Sequence, residues 1–112
     1  MDELTPAIVT KAVALSETIQ RANRPHALEA AVTEFTHLLT TVPDHAPREL
    51  STDSIGLLAR LAEDVITRIE RRVSSGDDSG AVQLDLVEAV YGIRRALEEI
   101  DRWRRHYAGQ TF

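Results

Sequence analysis

Apolar residues recur along this chain at alternating gaps of four and three, which marks one buried face on a helix of 3.6 residues per turn. Ile8, Ala12, Leu15, Ile19 and Ala22 follow that spacing, with Val9 and Val13 widening the stripe. Leu28, Val32, Phe35, Leu39 and Val42 repeat it, supported by Ala31 and Leu38, and so do Ile55, Leu58, Ala62, Val65 and Ile69, with Leu61 alongside. The longest run, Leu84 to Tyr107, puts Leu86, Val90, Ile93, Leu97 and Ile100 on one face, a spacing that suits no strand.

The punctuation between the runs predicts where each helix stops. Thr5 before Pro6 is a start signal, because threonine can cap free amides and proline at the first helical position lacks a donor that would go unpaired. Pro25 disfavours a helical conformation at Arg24 and closes the first run. The segment PDHAPREL, 43–50, holds two prolines and reads as a loop, after which Ser51, Thr52 and Asp53 are cap candidates. SSGDDSG, 74–80, is the clearest breaker, and Asp77, Asp78 or Ser79 can cap the last helix. These signals predict an all-α fold in a single domain, 1–112, with helices at about 5–23, 25–42, 52–73 and 80–107. The short connections make two antiparallel hairpins, arranged as an up-and-down four-helix bundle or a short helical stack. On the third helix the polar side is Arg60, Glu63, Asp64, Thr67, Arg68, Arg71 and Arg72, with an Asp64–Arg68 ion pair expected across one turn.

The last helix carries more than one apolar face, and the others are expected to pack against it. Beside its core stripe runs a row of small residues, Ala89, Gly92 and Ala96, where a neighbouring backbone can approach closely. Glycine inside a helix costs about 1 kcal/mol relative to alanine, so Gly92 implies such a neighbour. On the opposite side stand Leu84, Val87 and Tyr91, which make the first half of the helix apolar nearly all round. Either the helix is inserted among the others or a second chain lies over those three residues.

Composition narrows the chemistry. The 112 residues are 43% hydrophobic and include no cysteine, which excludes disulfides, thiolate metal sites and cysteine nucleophiles. Acids near the start, where a secretory signal carries bases, and the lack of an apolar run of about 18–20 residues predict a cytoplasmic protein without a membrane span. The formal net charge is −5. Arg94 to His106 runs against that sign, with five arginines and three acids.

Some positions resemble a known family. In DLVEAVYGIRRAL, Ala89, Ile93 and Ala96 resemble the small, large, small pattern of the second helix of a tetratricopeptide repeat. Ala31, Phe35 and Leu38 occupy corresponding positions in HALEAAVTEFTHLLTTVP, with Pro43 where the family often ends that helix, and Leu58, Leu61, Ala62 and Val65 resemble its first helix. The resemblance implies stacked hairpins with a groove for a peptide or helix. It also implies self-association, because such stacks usually need about three units to bury their faces.

Candidate chemistry is sparse. Glu34 and His37 make the E-x-x-H spacing of di-iron bundles, but those sites need a second copy and further inward glutamates, so a solvated polar face is the simpler reading and no metal or cofactor is expected. The tail RWRRHYAGQTF interleaves Arg102, Arg104 and Arg105 with Trp103 and Tyr107, a composition that can stack on single-stranded nucleic acid. Net negative charge opposes that use, and Trp103 and Tyr107 continue the small-residue row, where they close the core or meet a partner. Glu98–Arg102 and Asp101–Arg105 are expected as helix ion pairs. The function expected is non-enzymatic: an adaptor, small subunit or regulator that binds a protein and self-associates, through Leu84, Val87, Tyr91, Arg95, Arg102, Trp103 and Tyr107. A nucleic-acid-binding accessory is the alternative, and a helical carboxylate and histidine metalloprotein the third.

Overall fold

The computed structural model describes residues 7–42 and 51–108, without the side chains of Arg104, His106, Tyr107 and Ala108. Among the described residues the chain forms four helices: α1 (Ala7–Arg21), α2 (Pro25–Thr40), α3 (Thr52–Ser75) and α4 (Gly80–Ala108). The expected cap at Thr5 and the loop at 43–50 lie outside the described residues.

The helix ends follow local chemistry. Arg24 is extended (φ −94°, ψ 138°) ahead of Pro25, as the ring of a following proline requires. Ser51 caps α3, its Oγ accepting from the Ser54 amide at 3.1 Å. At the other end α3 runs two residues past the expected stop and closes on Gly76, whose φ of +71° places it in the left-handed region that glycine enters without strain. Ser79 starts α4 by accepting from the Val82 amide at 3.3 Å. Asp78 does something else. Its carboxylate takes two hydrogen bonds from Arg72, at 2.6 and 2.9 Å, and ties the end of α3 to the turn. Those bonds hold the Asp78 carboxyl below the usual aspartate range and raise the Arg72 guanidinium further.

Four close pairings build the bundle: α1 with α2, α1 with α3, α2 with α4, and α3 with α4. Helix α4 therefore sits at a corner against α2 and α3, and is not the element around which the other three gather. Helices α2 and α3, consecutive in the chain, are not among the close pairs. Eleven residues separate Thr40 from Thr52, enough chain to span a diagonal, so this connection need not make neighbours as a tight turn would.

Registers fix the directions. The pairs Glu29 with Asp85 and Thr36 with Gly92 meet across the α2–α4 seam, and Thr40 and Ala96 line one cleft there, each pair 56 positions apart, so these helices run parallel. Glu70 meets Arg94 while Val73 and Ser74 line one groove with Val87 and Tyr91, so α3 and α4 run antiparallel. Two hairpins thus lie side by side with like helices together.

The core holds Phe35, Ile19, Leu28, Leu39, Ile55, Leu58, Ile66, Ile69, Leu86, Ile93 and Ile100, all at most 2% exposed. Val90 and Leu97, expected on the core face of α4, are partly buried against it, as is Leu15 on α1. Ser16 is buried beside them, a polar position the apolar spacing passes over.

Arg68 departs from the expected pairing with Asp64. Its Nε and Nη2 donate to the carbonyls of Ile19 and Ala22 at 3.3 and 2.7 Å. The carbonyls closing α1 have no helical partners and carry the negative end of its dipole, so a guanidinium on the neighbouring helix serves them better than an exposed carboxylate serves it. Gln20 joins the same seam, donating to the Asp64 carbonyl at 3.3 Å. Arg68 and Arg72, both expected in solvent, are therefore half-buried. Among the described residues, no helix is long and apolar enough to cross a membrane.

Candidate functional site

Helix α4 has two flanks with different occupants. On the flank toward α2, a Cβ built on Gly92 would stand 3.3 Å from Cγ2 of Thr36. The close neighbour implied by the small-residue row is thus α2. Thr36 donates from its hydroxyl to the Val32 carbonyl at 2.8 Å, which leaves its methyl to meet Gly92. On either side of this contact the seam opens into shallow clefts of about 610 and 460 Å³ that share Thr36, Thr40 and Gly92. His37 lines the first cleft with Glu29, Asp85 and Glu88, and Arg95 and Arg102 line the second with Glu98 and Glu99. Burial, together with a hydrogen bond to Asp85 and the charge of that group, pushes the Glu29 carboxyl up from its ordinary value.

The other flank is open. Leu84 is 59% exposed, Val87 38% and Tyr91 66%, so α4 is not inserted among the other helices. The reason is the corner position: with neighbours only at α2 and α3, a helix covers roughly half of its circumference, and these three residues fall at or beyond the edge of that half, Val87 and Tyr91 on the side of α3. Toward α3 the surface dips into a groove of about 530 Å³ lined by Val87, Val90 and Tyr91 from α4 and by Glu70, Val73 and Ser74 from α3, with Arg94 reaching Glu70 at 3.1 Å.

Exposed charges line the open face in a pattern that spacing alone does not reveal. Arg102 pairs with Glu99 at 3.0 Å, not with the expected Glu98, and Arg105 pairs with Asp101 as expected. Glu88, Arg95 and Glu98 are exposed and make no ion pair among the described residues. Trp103 is half-buried and packs against the core, whereas the side chain of Tyr107 lies outside the described residues.

Of the seven candidate residues, the structure gathers Leu84, Val87 and Tyr91 on one outer face, with Arg95 and Arg102 bordering it on the cleft side. Trp103 belongs with the core. Leu57 on α3, 37% exposed, is a further apolar surface residue. Its position off the Ile55, Leu58 and Ala62 stripe is the one sequence signal for it. Glu34 and His37 are both exposed, and no group of three or more histidine and acidic side chains that could hold a metal ion occurs among the described residues. Compared with protein family models, with curated proteins and with solved structures, the chain matches nothing.

Proposed function

We propose that this chain is a non-enzymatic protein–protein interaction module, an adaptor, small subunit or regulator, that docks through the outer face of α4. One observation carries the reading: three large apolar side chains, Leu84, Val87 and Tyr91, stand in solvent along one face of a regular 29-residue helix. Isolated exposed apolar residues are ordinary, but a contiguous set rimmed by charge is the composition of a docking surface. Tyrosine and arginine, the types that dominate interface energetics, are both present at Tyr91 and Arg95.

The nucleic-acid alternative draws less support, since Arg94, Arg102 and Arg105 each face a carboxylate of this chain, which offsets the positive field that phosphates need.

The test replaces Tyr91 by alanine or Leu84 by aspartate and follows partner capture and oligomeric mass, with helicity measured alongside. Loss of association at unchanged helicity is expected. Unchanged capture and unchanged mass in both variants would overturn the reading.

A further inference from the structure

We infer that the occupant of the α4 face is a second copy of this chain, laid antiparallel across a two-fold axis that passes between Tyr91 and Gly92. This deepens the docking reading above and rests on it. Glu88 and Arg95 supply the register. Both are exposed, both lack an ion pair among the described residues, and they flank Tyr91 three residues before it and four after. Seven positions on a helix are two turns, about 10.5 Å along one side, so Glu88 and Arg95 share an edge of the face but stand too far apart to pair with each other.

A two-fold axis beside Tyr91 exchanges the two positions. Glu88 then meets the partner's Arg95, and Arg95 meets the partner's Glu88, so one symmetric contact neutralises all four charges. The same operation brings the two Tyr91 rings together at the centre. It also sets Leu84 opposite the partner's Glu99, between the alkyl stems of the partner's Arg95 and the partner's Arg102. Two other arrangements conflict with the charges. A parallel pairing sets Glu88 against the partner's Glu88, and an antiparallel pairing centred on Val87 brings both Glu88 carboxylates to the axis.

Three partly exposed apolar side chains contribute well under the roughly 800 Å² per partner of a standard stable interface. The dimer is therefore concentration-dependent, in exchange with monomer.

The chain contains no cysteine, so single cysteines report the geometry cleanly. Under mild oxidation Tyr91→Cys is expected to form a disulfide-linked dimer. Leu84→Cys is not, because the two copies of position 84 lie about 20 Å apart along the axis in this arrangement. A parallel pairing would crosslink at both. In sedimentation experiments across a concentration range, Glu88→Arg and Arg95→Glu are each expected to weaken dimerisation at least tenfold, and the double variant to restore it. A chain that stays monomeric at every concentration overturns the second-copy assignment, as does a dimer indifferent to both charge variants and to Tyr91→Ala. If the monomeric chain still captures another protein through Tyr91, the docking reading stands without this inference; if Tyr91→Ala leaves that capture intact, both fall.

Discussion

Helices α2 and α4 run parallel, 56 residues apart in register, and each is apolar along a full stripe, yet they end in opposite situations. Leu28, Val32, Phe35 and Leu39 of α2 are buried, as is Val42 just beyond its end, and no large apolar side chain of that helix is exposed. On α4 Leu86, Ile93 and Ile100 are buried and Val90 and Leu97 partly so, but Leu84, Val87 and Tyr91 are left over outside the stripe. Two neighbours cover one face of a corner helix and no more. Apolar surface beyond that width is free for another use, and the contrast with α2 identifies it.

Substitutions on the two helices test this contrast. The largest effect is expected on α2. Phe35, fully buried, should cost about 3–5 kcal/mol when cut to alanine, read from denaturant unfolding; a cost near zero would mean that the α2 stripe is no better covered than the outer face of α4. Next comes the seam between the helices. Gly92→Leu drives a side chain into Thr36 and should cost about 1–3 kcal/mol. Unchanged stability would show that α2 and α4 do not approach as described.

Two carboxyls then give opposite pH signatures. Asp78 sits below its ordinary value in the folded protein, so its contribution is present above the usual aspartate range and is lost as pH falls through the folded value. Asp78→Asn should therefore lower the melting temperature at neutral pH and much less in acid. Glu29 is raised, so its contribution is complete below the ordinary glutamate value and is lost as pH rises through the folded one. Glu29→Gln should raise the melting temperature at neutral pH and leave it unchanged below about pH 4. The same sign for both variants at neutral pH would contradict the assigned environments. The smallest stability effect belongs to Tyr91→Ala, within about 0.5 kcal/mol for an exposed position, with the loss appearing in association instead. A destabilisation as large as that of Phe35→Ala would mean the ring is part of the core.

Much of the bundle can be read as pattern. The spacing of Leu28, Val32, Phe35, Leu39 and Val42 names a fully buried face, and Pro25 and Gly76 end segments for reasons internal to their own backbones. The close approach at Gly92 is readable too, though not the helix that makes it. Long-range polar choices are not. Arg68 leaves the Asp64 of its own helix for the carbonyls ending α1, and Asp78 leaves helix capping to Ser79 and takes Arg72. In each case the alternatives are close in local energy, and the geometry of another segment selects between them.

The order of apolar and polar residues is enough to specify that four amphipathic helices form, which face of each is inward, and that α4 carries apolar surface on more than one side. Periodicity and backbone restriction act within a few turns, so they can be read locally. Packing in three dimensions settled the rest: that like helices lie together, that α2 fills the Gly92 side of α4, and that Leu84, Val87 and Tyr91 remain in solvent. Those outcomes depend on which surfaces fit once the helices meet, and a residue's own neighbours in sequence carry no record of that fit.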